Sequence, residues 1–170
     1  SPDGQSLYFL APDPKTPEQR QREKLADDVF AFDENYQHKH LWRIDVAEQK
    51  EHRITAGDSS VLSYNVSRDG TKIVYHRSIN PLFGDSGKSE VWPADADGTG
   101  AVRLTENQVP ESGARLSPDN RQVLFLAKVN EQFEFYYNAN LFLVDSAGGS
   151  AKRLLPDLPF EILQASWSRD

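Results

Sequence analysis

Several short motifs carry residues able to do chemistry. Gly84-Asp85-Ser86-Gly87 has the residue order found around a nucleophilic serine. Such a serine needs a His base and an acid that orients it, and no placed His and Asp accompany this one. The broader serine elbow, Gly-x-Ser-x-Gly, occurs nowhere in the chain. Gly87-Lys88-Ser89 has the tail of a phosphate loop, but Leu82 stands where the first Gly is required. Asp95-Ala96-Asp97-Gly98 starts like a calcium loop; its Gly comes too early and no Glu completes it. His38 and His40 would project from one side of a strand, and two His can share a metal. No third ligand stands near them in sequence. No catalytic residue, metal or cofactor is expected of this chain.

Binding chemistry is better represented, in three polar or aromatic stretches. The first holds Asp27, Asp28, Asp33, Glu34 and then Tyr36. Its carboxylates suit a cationic group such as a peptide amino terminus, and equally a solvated acidic loop. The second, Asn80 to Lys88, presents Phe83 and Asp85 at a tip containing Gly and Pro. Phe83 suits an interface or a tucked anchor. The third holds Phe133, Phe135, Tyr136 and Tyr137. Phe133, Phe135 and Tyr137 alternate onto one face, so a packed hairpin competes with an exposed aromatic platform. Asp33, Glu34, Tyr36, Phe83, Asp85, Phe133, Phe135 and Tyr136 are the candidate substrate- or partner-binding residues.

Composition narrows the partner class. A net charge of −7 argues against a dedicated nucleic-acid or anionic-membrane binder. Apolar residues make up 38% of the chain, enough for a core. With no Cys there is neither disulfide nor thiol chemistry, and the compartment, periplasmic or cytoplasmic, stays open. No apolar run approaches the ~20 residues of a helical membrane span, and no signal peptide is visible.

The elements that position these stretches are announced by a repeated tetrapeptide. Ser1-Pro2-Asp3-Gly4, Ser67-Arg68-Asp69-Gly70 and Ser117-Pro118-Asp119-Asn120 are copies, and Ser168-Arg169-Asp170 is a partial one. Apolar or aromatic residues precede the interior copies and a β-branched or aromatic run follows them. Asp hydrogen-bonds the backbone ahead of it, and Gly or Asn tolerates positive φ. Other markers keep the same period: Asp45, Asp95 and Asp145, and the pairs Ile54-Thr55, Leu104-Thr105 and Leu154-Leu155. Strands are expected over 6–11, 41–46, 51–55, 61–66, 72–76, 91–95, 102–105, 113–116, 122–128, 140–145, 151–155 and 162–167. A short helix is expected after Thr16, with Thr16 as N-cap, Pro17 at the first position and Gln19 reaching back. Val29 to Phe32 reads as a further short strand.

Four short antiparallel strands per repeat, A to D, make a propeller blade. The fold class is all-β: a partial β-propeller of about three blades. The blade boundaries read as 1–60 (strands B to D, with an insertion over 12–40), 61–110, 111–161, and 162–170 as a first strand. Closed propellers typically need about four to eight blades. The chain is therefore expected to be a piece of a longer protein or to complete a ring by self-association. The long connections all join B to C, and they share one face. Elaborated loops on a rigid scaffold are where binding usually resides.

The Ser-Pro-Asp-Gly turns, with Leu-Thr ending a unit, resemble the repeats of TolB-type propellers. The stretch from Glu23-Lys24 through Asp27-Asp28-Val29 and Asp33-Glu34-Asn35-Tyr36 to Leu41-Trp42-Arg43-Ile44-Asp45-Val46 is similar to a segment in the propellers of prolyl oligopeptidase family (S9) serine peptidases. The acylaminoacyl-peptidase-like and dipeptidyl-peptidase-like branch is the nearest. The resemblance implies a non-catalytic propeller that filters peptide access to an α/β-hydrolase domain bearing the triad. Partners would be that domain and a peptide substrate. The alternative is a TolB-like module for protein–protein contact with no enzyme attached.

Overall fold

The computed structural model describes residues 1–27, 35–130, 132 and 134–168. The candidates Asp33, Glu34 and Phe133, and the strand expected over 29–32, lie outside the described residues. Three antiparallel sheets stack side by side. The first holds β1 (Ser6–Pro12), β2 (Lys39–Asp45) and β3 (Glu51–Arg53). The second holds β4 (Ser60–Val66), β5 (Lys72–Ser78) and β6 (Glu90–Asp95). The third runs β7 (Glu111–Leu116), β8 (Gln122–Val129), β9 (Phe135–Asp145) and β10 (Lys152–Leu154). They are open sheets, each a blade or most of one.

The repeated tetrapeptide forms the expected turn three times. In the second copy the Ser67 hydroxyl donates to Asp69 Oδ1 over 2.7 Å and accepts from the Lys72 amide. Asp69 Oδ1 also accepts from the Thr71 amide, and Gly70 adopts φ +74. Ser117, Asp119 and Asn120 repeat this arrangement, with Asn120 at φ +61. Ser1, Asp3 and Gly4 repeat it again. Asn is among the few side-chain-bearing residues that tolerate this backbone, which explains its place in the third copy.

Burial follows the stacking. β5 lies in the middle blade, with neighbours on both faces, so Ile73, Val74, Tyr75 and His76 are all buried. Ile73 and Tyr75 join Leu41 and Val61 in one core, between the first two sheets. Val74 joins Val91, Val123, Phe125 and Phe142 in the other. Phe125 and Phe142 stack with centroids 5.5 Å apart. β1 instead alternates: Tyr8 and Leu10 pack on the first core while Leu7 and Phe9 are exposed.

Two expected strands do not form as regular ladders. Residues 101–105 run beside β6, with the Val102 amide donating to Pro93 O and the Leu104 amide to Val91 O. In an antiparallel pair one residue turns both its N–H and its C=O to the same neighbour. Pro93 has no N–H to return to this segment, so the ladder is one bond short there. Arg43 and Leu143, fifty residues away on either side, keep their N–H, and there β3 and β10 pair normally. Residues 162–167 are held by the Ile162 amide on Ala139 O and by the Trp167 indole on Arg115 O. No second strand stands beside them among the described residues. Two loops gain structure: α2 (Phe83–Ser86) is a single helical turn within 80–88, and β9 begins at Phe135 where a strand is expected only from 140. The expected helix forms as α1 (Pro17–Lys24), with Thr16 and Gln19 exchanging both capping hydrogen bonds.

Candidate functional site

Strand direction sorts the connections onto two ends. The tetrapeptide turns and the turns at 45–50, 95–99 and 145–149 share one end. There the Ala96 amide donates to Thr71 O and the Ser146 amide to Arg121 O. The long connections β1–β2, β5–β6 and β8–β9 emerge at the opposite end, and the described candidates lie in them or, for Phe135 and Tyr136, at the start of β9.

The described candidates do not converge on one point. Tyr36 sets its ring edge-on against His38, with centroids 5.4 Å apart. Phe83, on α2, is largely exposed. Asp85 is engaged within its own loop. It accepts from Asn80 Nδ2 at 2.8 Å and from Lys88 Nζ at 3.4 Å, and its carbonyl accepts from the Ser78 hydroxyl. The Asn80 bond, with help from Lys88, holds the Asp85 carboxyl below its ordinary range. Phe135 opens β9 opposite Val129. Tyr136 is half exposed and helps line a cleft of about 350 Å³ with Asn130, Asn138, Asn140 and Arg153.

A buried polar layer lies just inside this end, and sequence reasoning missed it. His40, Glu90 and Asn140 stand at one position of the repeat; Arg53, Arg103 and Arg153 stand at another. In the second and third blades the arginine reaches the residue at that first position directly, and in the first blade through Asp13. Arg103 meets Glu90 at 3.1 Å, and Arg153 donates to Asn140 Oδ1 at 3.0 Å. Arg53 reaches Asp13 at 2.9 Å, and Asp13 in turn lies 3.4 Å from His40. In the first two blades the arginine Nε also donates to the carbonyl of Thr55 or Thr105, and that threonine's hydroxyl accepts the amide of Leu41 or Val91. The third blade has Leu155 instead, in a left-handed conformation at φ +54. The fifty-residue spacing that marked Asp45, Asp95 and Asp145 was the signal that could have found this layer.

Burial shifts the titration of His40 in this layer and of Glu111 beside it. Glu111 opens β7 and accepts from the Thr105 hydroxyl and from Asn107 Nδ2, each at 2.7 Å. Burial pushes its carboxyl up to about 7 against those bonds, with the Glu90 carboxylate adding to the rise. Burial likewise holds the His40 imidazole down, Arg53 acting in the same sense and Asp13 opposing. Further in, His76 Nε2 accepts the Ala114 amide at 3.2 Å, tying β5 to β7. Burial takes that imidazole down to about 4.

None of this is nucleophilic machinery. His38 Nδ1 lies 3.2 Å from Ser60 Oγ, within reach of a base. Ser60 is fully buried and also accepts the Lys39 amide, so no substrate reaches it. Among the described residues no group of three or more His, Cys, Asp or Glu side chains is arranged to hold a metal. His38 and His40 are occupied with Ser60 and Thr55.

No family model matches the chain. Uncharacterized peptidase YuxL of Bacillus subtilis (strain 168) is 29% identical over 121 residues, covering 69% of this chain and 18% of that protein. Among solved structures, a putative TolB from Agrobacterium tumefaciens matches with a TM-score of 0.57 at 21% identity, over 90% of this chain and 46% of that one. The β-propeller domain of the Trilobed protease from Pyrococcus furiosus matches with a TM-score of 0.55 at 14% identity, over 89% and 40%. The chain thus spans less than half of each of these relatives. It has the fold of a TolB-like propeller, a fold shared with a protease's propeller domain. The expected resemblance to TolB-like and peptidase propellers is borne out.

Proposed function

We propose that this chain is a non-catalytic propeller portion of an S9-type serine peptidase, gating peptide access to an α/β-hydrolase domain. The observation that carries the reading is the 29% identity to a B. subtilis peptidase over 121 residues. The likeness in fold to a protease propeller supports it. So does the gathering of long connections at one end, where a second domain or a peptide would be met. In this reading the chain supplies no nucleophile: no serine elbow is present, and the one Ser–His pair named above is sealed. A TolB-like interaction module with no enzyme attached is the second reading, favoured by the match to A. tumefaciens TolB.

The deciding experiment reads the gene on both sides of this region and assays the encoded protein. A downstream Gly-x-Ser-x-Gly elbow, with cleavage of aminoacyl chromogenic substrates abolished by mutating its serine, is the expected result. An open reading frame without a hydrolase domain would favour the second reading. Triad-type hydrolysis by the purified 170-residue chain alone would overturn the non-catalytic assignment.

A further inference from the structure

The end carrying the short turns holds a cleft of about 720 Å³. It runs along the edge strands β4 and β7 and residues 166–168. Its walls include Asn65, Arg68, Arg115, Leu116, Pro118 and Trp167. Two properties bear on what it could hold. The chain carries a net charge of −7, yet the described lining contains two arginines and no carboxylate. Its apolar part is built from Pro2, Val66, Leu116, Pro118 and the Trp167 indole.

Arg115 is one of several arginines, with Arg43 and Arg77, that meet no acid among the described residues. Several other arginines meet an acid: Arg22 with Asp27, Arg53 with Asp13, Arg103 with Glu90. Arg115 has no carboxylate within ion-pair distance among the described residues. Its Nη1 makes one long hydrogen bond, 3.3 Å to Asn65 Oδ1, and its Nε is buried without an acceptor. A guanidinium beside a cleft and without a carboxylate partner can take one, and a bidentate carboxylate is the group whose geometry fits a guanidinium edge. Asn65 is fixed in turn by donating to Ala114 O at 2.9 Å, and Trp167 by donating to Arg115 O at 3.2 Å. The anion donor and the aromatic wall are therefore held by the same stretch of β7.

We propose that this cleft binds an apolar carboxylate, with the Arg115 guanidinium taking the carboxylate and Trp167 flanking the apolar body. The site rests on the cleft alone and holds for a peptidase propeller and for an interaction module alike. A peptide carboxyl terminus with an aromatic or aliphatic last residue belongs to the ligand class.

The probe is N-acetylphenylalanine, titrated into the purified chain while tryptophan emission is followed, with N-acetylphenylalaninamide as its uncharged counterpart. Saturable binding of the acid at ~1–10 mM is expected, with the amide at least about tenfold weaker because it lacks the charge. Arg115→Gln should weaken the acid by about tenfold or more, Arg115→Lys by less, and Arg121→Gln, outside the cleft, not at all. Trp167→Phe should remove most of the emission response. Equal binding of acid and amide, unchanged binding by Arg115→Gln, or no saturable response to the acid would overturn the proposal. Should Arg115→Gln fail to fold by circular dichroism, the acid–amide comparison on the unaltered chain and the Arg115→Lys titration decide it.

Discussion

Asn120 Nδ2 donates to Asp69 Oδ2 over 2.8 Å, so the turn between the first two strands of the third blade is hydrogen-bonded to the matching turn of the second. The two residues are separated by 51 positions, about one repeat. Asn120 also reaches the Thr71 hydroxyl at 3.2 Å. The Ser67 hydroxyl, with Asn120 and Thr71 adding to it, holds the Asp69 carboxyl far below the usual carboxylate range. On the other side Gly70 lies close to the first turn: a Cβ at Gly70 would sit 3.2 Å from the Pro2 ring. Neighbouring blades are thus registered through the turns as well as through the core.

Asn120→Gly should keep the turn while releasing that bond. Loss of an exposed hydrogen bond costs about 0.5–1.5 kcal/mol, and relief of the left-handed backbone returns roughly 1 kcal/mol. Net stability should change by less than about 1 kcal/mol. The Asp69 carboxyl should titrate closer to its ordinary value, as followed by carbon NMR. An unmoved Asp69 titration would mean that Asn120 contributes nothing to it.

Glu111 should make the chain less stable as pH rises. The folded carboxyl keeps its proton up to about pH 7, whereas the ordinary value is 4.5. Between those limits the folded chain binds more protons than the unfolded one, so stability falls as pH increases through the window. Arg103 and Glu90 are the charged groups facing it, and Glu90 is fixed by Arg103 and by the Asn107 amide. Glu111→Gln should remove the effect, gaining on the unaltered chain by on the order of 3 kcal/mol between pH 4.5 and 8. Urea unfolding at both pH values measures this. A stability difference that does not vary with pH would contradict it.

His76 acts in the opposite sense. Its folded value is about 4 against an ordinary 6.5, so the unfolded chain binds the extra proton and stability falls as pH drops through that range. His76→Leu should cost about 1–3 kcal/mol at pH 7, because the Ala114 amide is left buried without its acceptor. That cost should shrink by roughly 2 kcal/mol at pH 4.5, where the histidine is itself a liability. Chemical denaturation of both chains at the two pH values is the check, and a cost independent of pH would count against it.

Gly98 and Gly148 occupy the same turn in successive blades but different surroundings. A Cβ on Gly98 would lie 2.2 Å from the Ile54 carbonyl oxygen of the preceding blade, whereas one on Gly148 meets nothing within 4 Å. Both have positive φ, +91 and +110. Gly148→Ala should cost only the backbone term, about 1–2 kcal/mol. Gly98→Ala should cost about 1–3 kcal/mol more, since a main-chain oxygen has to move. Thermal unfolding of the pair gives the difference, and equal losses would show that the blades yield freely there.

Much of the fold was legible because its signals are local and repeated. The Ser-x-Asp-Gly turns need only their own side chains, so Ser67, Asp69 and Gly70 specify their geometry without help. The Thr16 capping box was legible for the same reason. The segment 102–105 was misread because its residues favour a strand, while what limits it is the missing N–H of Pro93 in the neighbouring strand. The candidate loops fared differently. Asp85 has the chemistry of a binding residue, but Asn80 and Lys88 in its own loop already occupy the carboxylate.

The sequence by itself determined the turns, the strand order and the period of fifty. These follow from φ preferences, from alternation, and from markers such as Asp45, Asp95 and Asp145 that recur in register. Only the tertiary structure decided which side chains of different repeats meet. Asn65, Arg115 and Trp167 come from three successive units, some fifty residues apart, and no short-range pattern joins them. Likewise Glu111 is an ordinary exposed-type residue in sequence. Its perturbed carboxyl arises because stacking places it against Thr105, Asn107 and Glu90, where water is excluded. Burial and pairing across blades are properties of the packed sheets, and they decide where charge in this chain is costly and where it is left available to a ligand.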